Sequence, residues 1–293
     1  MRRFKRTAED WAVDTFVYVF VILYALMTLI PFLNIIAKAF SAEWALISGR
    51  VSIFPIGFQL HTIGYVIQNS LFVQSFKNSV IVVLLGTVLM VVVTGLAAYP
   101  LSKPNLPLRK PLLVIFVFTM LFSGGMIPQY LLMKDLKLTN TLQALFLPGA
   151  INVYNMLLIK SYFESLPESL EESARMDGAS SFVVLIRIMV PLALPVFATV
   201  ALFTAVGLWN DYFSPMIYNT QISVKTLSLY LRDVIVENLD DVTLAKTSDE
   251  MMNLLPEGVR AATIVASTIP ILVVYPFVQK YFIKGVLIGS VKG

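Results

Sequence analysis

The sequence contains no cysteine. Disulfides, thiolate zinc sites and thiol catalysis are therefore excluded. It contains one histidine, His61, so metal or acid–base chemistry built on paired imidazoles is excluded as well. Charge is scarce: 14% of the residues are Asp, Glu, Lys or Arg, against about 25% in a soluble domain. The net charge of +4 is small and points to no nucleic-acid partner. No phosphate loop of the form G-x-x-x-x-G-K-[ST] is present, so the chain does not hydrolyse ATP by that route. G-x-S-x-G, H-E-x-x-H and the kinase set are missing too. No internal repeat of 20–50 residues and no low-complexity tract is evident.

What fills the 293 residues is apolar: 57% are hydrophobic, and the mean hydropathy is +0.79. Six stretches reach the roughly 20 residues that a helical span requires. They are 16–39, 78–100, 111–129, 142–162, 192–212 and 261–282. This predicts an all-α integral membrane protein with six transmembrane helices in a single domain, 1–293. Arg2, Arg3, Lys5 and Arg6 precede the first stretch, which is long enough to span and is followed by no A-x-A-like site. The first span is read as uncleaved. Lys and Arg give the orientation. With the N-terminus inside, thirteen fall on the inner side, including Lys103, Arg109, Lys110 and Arg187. Seven fall outside, including Arg50, Lys134 and Arg260. Both termini are expected in the cytoplasm. The loops 41–76 and 213–260 then face outward, the first interfacial and partly packed, the second a docking surface for an extracytoplasmic partner.

Span four is interrupted by Pro148, Asn152 and Asn155. Polar or irregular backbone at membrane depth is tolerated only against protein or a water-filled cavity. Asn152, Tyr154, Asn155, Thr204, Trp209 and Asn210 are therefore candidate pathway residues, with Tyr154 and Trp209 offering aromatic faces for stacking. Aromatics at interfacial belts are the alternative. Gly124-Gly125 in span three is read as a bend or a point of close helix approach.

One charged island interrupts the apolar chain: Glu172-Ser173-Ala174-Arg175-Met176-Asp177-Gly178, nine residues, then Ile188-Met189-Val190-Pro191. Ser165 and Glu168 have capping-box spacing, with Pro167 in the first turn. A helix is expected from there to about Asp177. Gly178 sits where a chain needs a positive φ to leave a helix, and Ser180 or Ser181 can cap a second helix. The pattern resembles the cytoplasmic EAA loop of permease subunits of binding-protein-dependent ABC importers, E-A-A, three residues, G, nine residues, I-x-L-P. Ser173 replaces the first Ala and Val190 the Leu. Further blocks resemble the MalG-type carbohydrate permeases, in the LplC-like branch that includes alginate-importer subunits. These are Asn78-Ser79, Ser123-Gly124-Gly125-Met126-Ile127-Pro128, Trp209-Asn210-Asp211-Tyr212 and the run from Tyr275 to Phe282, with the terminus Gly289-Ser290-Val291-Lys292-Gly293.

The resemblance implies a type I ABC importer permease fold with a coupling helix between spans 4 and 5, in the loop 163–191. It implies that Glu171, Glu172, Ala174, Arg175, Asp177, Gly178 and Ala179 meet an ATPase, and that Val291, Lys292 and Gly293 reach it as a tail. It implies as partners a second, MalF-like permease, a homodimeric ATPase and a periplasmic or extracellular solute-binding protein, in the inner membrane. The chain itself would bind no cofactor; ATP and Mg would belong to the ATPase. The expected cargo is an oligo- or polysaccharide, alginate oligosaccharide first among them, or else a different saccharide or solute. An autonomous channel or secondary transporter would want ionisable residues at midplane, and the spans contain almost none.

Overall fold

Long apolar runs become long helices. The computed structural model describes residues 8–236 and 255–290, and among these no residue is in a β-strand. The helices are α1 (Ala8–Ala39), α2 (Glu43–Ile47), α3 (His61–Gln68), α4 (Ser70–Ser102), α5 (Arg109–Leu121), α6 (Met126–Asp135), α7 (Val153–Ser165), α8 (Ser169–Met176), α9 (Ser181–Val184), α10 (Val190–Leu192), α11 (Leu194–Asn210), α12 (Phe213–Tyr218), α13 (Leu227–Val236) and α14 (Pro256–Ser290). The chain divides into two units: Met1–Asn69 with Asp233–Pro270, and Ser70–Arg232 with Ile271–Gly293. Among the described residues α1 from Trp11 and α4 are long and apolar enough to cross a bilayer. Two helix pairs meet the same criterion together but are sharply bent, α5 with α6 by 107° and Ser181–Leu192 with α11 by 82°.

In the first unit, α1 is bare over most of its length: its apolar side chains from Trp11 to Phe32 are exposed. Its Thr15 and Thr28 hydroxyls donate to Trp11 O and Ala25 O, so they need no water. Such a face requires lipid or another chain. Order begins at its C-terminal end. Ser41, 1% exposed, donates to Ala37 O at 2.7 Å and accepts from Ile56 N at 3.0 Å. Gln59 donates to Ser41 O at 2.9 Å. These bonds fold the segment after α1 over a small core of Ala37, Ala45, Leu46 and Val51. The segment from Ser41 to Gln59 is thus held by hydrogen bonds around one serine.

The second unit is built on α4, which packs along α11 and α7. Small residues allow the approach. Gly86 and Gly95 of α4 lie so close to Phe146, Leu208 and Phe197 that a Cβ at either would stand 2.7–2.9 Å from its neighbours. The main core holds Tyr99, Leu101, Met156, Ile159, Phe163, Leu185, Met189 and Val200. A second core holds Val82, Met133, Leu145, Phe146 and Tyr218.

The breaks have local causes. Between α5 and α6 the chain passes through extended Phe122 to Gly125 at φ 89°, a region that glycine alone enters cheaply. Between α10 and α11, Ala193 leaves helical geometry at ψ 8° between Pro191 and Pro195, each of which withholds a backbone donor. A π turn over Leu185–Met189 precedes it. The stretch 142–162 is helical only in parts, a 3-10 turn at Leu142–Leu145 and then α7. Asn152 starts α7, its Oδ1 accepting from Asn155 N at 3.0 Å. Asn140, at φ 59°, accepts at one oxygen from Thr220 N, Thr220 Oγ1 and Gln221 N at 2.8–3.1 Å. That pins the connection after α6 to the one after α12.

Candidate functional site: a coupling knob and a polar cavity

The charged island folds as α8, a glycine joint and α9. The capping box at Ser165 and Glu168 does not form. Ser165 Oγ donates back to Tyr162 O at 2.7 Å and closes α7 instead. Extended Leu166 and Pro167 then delay the next helix to Ser169, and Glu168 makes no side-chain cap. The C-terminal end follows the spacing. Gly178, at φ 82°, donates to Arg175 O at 3.0 Å, and Ala179 N donates to Ala174 O at 2.9 Å. This is the Schellman arrangement, which needs a left-handed residue at the first position past the cap and joins the next residue to the third from the helix end. The two joined residues, Ala174 and Ala179, both pack against the main core. The motif's second Ala and its Gly therefore have one physical cause. Ser180 caps α9, accepting from Val183 N at 3.4 Å.

The knob has two faces. Glu172, Arg175, Asp177 and Gly178 are exposed, and so are Met176, at 89%, and Phe182. Glu171 is buried. Its carboxylate pairs with Lys103 and accepts from Tyr99 Oη at 3.3 Å. Sequence reasoning passed over Met176 and Phe182. The available signal was an apolar side chain placed among charges on a short helix.

The second feature is a cavity of about 610 Å³, within the range of small-molecule sites. Asn152, Tyr154, Asn155 and Thr204 line it, with Gln129, Phe203, Asp211, Ser214 and Tyr218. Trp209 and Asn210 do not: Trp209 packs edge-on to Phe76 at 6.1 Å, and Asn210 donates to Val206 O at 3.0 Å. Among the described residues, Asp211 is the one charged residue that lines the cavity. Its Oδ1 accepts from Phe213 N and Ser214 N, both at 3.0 Å, and so starts α12. Burial, then the Asp211 carboxylate, holds the Tyr218 hydroxyl above the usual tyrosine range.

The profile of the family "Binding-protein-dependent transport system inner membrane component" matches residues 106–288, which include the knob and most of the cavity. The chain belongs to that family. It is 46% identical over 269 residues to the protein LplC of Bacillus subtilis (strain 168), covering 91% of this chain and 90% of that protein. It is 38% identical over 283 residues to the polygalacturonan/rhamnogalacturonan transport system permease YtcP of the same organism, covering 96% of this chain and 98% of the other. Among solved structures it is similar to a chain of a bacterial ABC transporter involved in import of the acidic polysaccharide alginate. The TM-score there is 0.87 at 34% identity, over 96% of this chain and all of the other. The chain therefore has the all-helical fold of type I ABC importer permeases. Its tail, Val291, Lys292 and Gly293, and residues 237–254 of the loop 213–260 lie outside the described residues.

Proposed function

We propose that this inner membrane component is one of the two permease subunits of a saccharide importer, driven by ATP hydrolysis in partner subunits. The observation that carries the proposal is the knob itself. It projects Glu172, Arg175, Met176 and Asp177 outward from a base that is fixed in the main core through Ala174 and Ala179. A short, charged helix with an apolar tip and an anchored base suits a cleft on another protein. In this reading the chain crosses the inner membrane six times, at 16–39, 78–100, 111–129, 142–162, 192–212 and 261–282. Both termini are cytoplasmic, and 163–191 is the coupling loop. Direct contact with a homodimeric ATPase, which holds ATP and Mg, falls to Glu172, Arg175, Asp177 and Gly178, and to the tail Val291, Lys292 and Gly293. A second, MalF-like permease completes the pathway. An extracytoplasmic solute-binding protein docks on 213–260.

The polar cavity is this chain's half of the pathway, with Asn152, Asn155, Gln129 and Thr204 offering hydrogen bonds to hydroxyls and Tyr154 an aromatic face. The relatives named above include a permease of a polygalacturonan/rhamnogalacturonan transport system and a chain of an ABC transporter involved in alginate import, and these polymers bear uronates. An acidic oligosaccharide is the cargo that fits them both, and alginate oligosaccharide is the first to test. Calorimetry on the partner binding protein with alginate, polygalacturonate and neutral oligosaccharides separates these. The coupling assignment is tested by Glu172→Lys and Gly178→Val in the reconstituted complex. Both variants should insert yet lose stimulated ATP hydrolysis and transport, by roughly tenfold or more. Wild-type transport by both would sink it.

A further inference from the structure

The buried side of α8 carries a cluster of Glu171, Lys103 and Tyr99, which the Arg175 side chain also reaches. Glu171 is 9% exposed and Tyr99 7%. One carboxylate oxygen of Glu171 pairs with Lys103 Nζ, and the other accepts from Tyr99 Oη at 3.3 Å. Lys103 Nζ also lies 4.7 Å from the centre of the Tyr99 ring. That ring packs edge-on to Phe163 at 5.9 Å. Tyr99 is on the last turns of α4, and Lys103 is the residue after it. A desolvated carboxylate held this way is strongly tied, because losing one partner leaves a buried charge without compensation. In the neighbouring cluster of Arg109, Lys160 and Glu164 the Glu164 side chain is 33% exposed against 11% for that of Glu171, and a more exposed carboxylate is held less tightly. The connector from α7 to α8, by contrast, is short, extended at Leu166, and contains Pro167.

We propose that Glu171, Lys103 and Tyr99 are positioning residues: a strut, its carboxylate buried, that ties α8 to the end of α4. Displacement of α8 by a partner then becomes displacement of α4. That helix contributes Met90 to the cavity wall and packs along α11, which contributes Phe203 and Thr204. The inference rests on the reading of α8 as the coupling helix.

The test uses the assembled importer in proteoliposomes. Lys103→Met and Glu171→Gln, the latter preserving the Tyr99 hydrogen bond, should co-purify with the ATPase yet lose stimulated hydrolysis by roughly tenfold. The swap Lys103→Glu/Glu171→Lys should recover most of it. Because the chain has no cysteine, Lys103→Cys/Glu171→Cys carries its only thiols. Joining them with a reducible bis-methanethiosulfonate bridge should restore stimulation, and reductant should remove it again. Wild-type stimulation in both single variants overturns the strut. So does failure of both the swap and the bridge to rise above the singles. If Glu172→Lys and Gly178→Val uncouple while these singles do not, only the strut falls. If all four stimulate like wild type, the coupling-helix reading falls with it.

Discussion

The approach of α4 to its neighbours predicts a graded series of Gly→Ala effects. At Gly86 an added Cβ would lie 2.7 Å from Leu208 Cδ1 and 2.9 Å from Phe146 Cβ. Leu208 Cδ1 is the end of a flexible side chain and can turn away. Phe146 Cβ sits on the backbone of a residue only 7% exposed, so it moves only if the segment after the 3-10 turn moves. Recovering ordinary contact requires a shift of about 0.5 Å, and overpacking of this kind costs about 1–3 kcal/mol. At Gly95 the contacts are Phe197 Cε1 and Cζ at 2.8 and 2.9 Å, the far edge of a ring that can swing. The cost there should be near the lower end, about 1 kcal/mol. Gly207 of α11 has nothing within 4 Å of its added Cβ, and its helix should gain up to about 1 kcal/mol from alanine's propensity. At about 2–4 °C per kcal/mol for a larger chain, intrinsic-fluorescence melts in one detergent should order the variants Gly86→Ala, Gly95→Ala, wild type, Gly207→Ala. At about 2 kcal/mol, the middle of its range, Gly86→Ala should fall about 4–8 °C below wild type. Equal melting of Gly86→Ala and Gly207→Ala would refute the claim that close approach, rather than helix propensity, keeps glycine at 86.

Asn78, 3% exposed, donates to Ser223 O and Lys225 O, both at 2.9 Å; Asn78→Leu should cost about 2–3 kcal/mol and make the 219–226 segment cut earlier by limited proteolysis. Gly178 should tolerate Asn, which enters the left-handed region readily, better than Ala, and Ala better than Val; stimulated ATPase activity should fall in that order, and a Gly178→Asn variant as inactive as Gly178→Val would assign the requirement to side-chain volume rather than φ. Ile159 is fully buried in the main core, and Ile159→Ala should destabilise by about 2–5 kcal/mol, read as a lowered melting temperature with the oligosaccharide specificity of transport unchanged.

What was legible in the sequence depended on range. The runs 16–39 and 78–100 lie within α1 and α4, because an uninterrupted apolar run leaves few alternatives to a helix. Gly178 and Ser180 act where their spacing puts them, since a Schellman end and an N-cap involve residues at most five apart. Gly124-Gly125 was readable as a bend, although two glycines leave its angle open and the 107° turn could not be read from them. The failure at Ser165 is instructive. Its hydroxyl had two acceptable partners within four residues, and the carbonyl behind it won because Pro167 held the chain out of helix. The Glu171 pairing was beyond reach, because Lys103 and Tyr99 are 68 and 72 residues away. So was the turning of Trp209 onto Phe76 instead of toward the cavity, which only the packing of α11 on α4 decides.

One helix is gripped at both of its ends. Near its start α4 holds the 223–227 segment through Asn78 and through Ser79, whose Oγ accepts from Leu227 N at 2.8 Å; just past its end Lys103 holds α8. The 25 helical residues from 78 to 102 form about 37 Å of rod, with its one internal proline, Pro100, confined to the last turn. A rod of that length tilted by about 5° about its lower end carries the upper end through about 3 Å. That is the difference between a closed and an open hydrogen bond. No relay of side-chain rearrangements through the middle of the protein is needed for the two gripped segments to register each other's position. The stiffness of a single continuous backbone is enough.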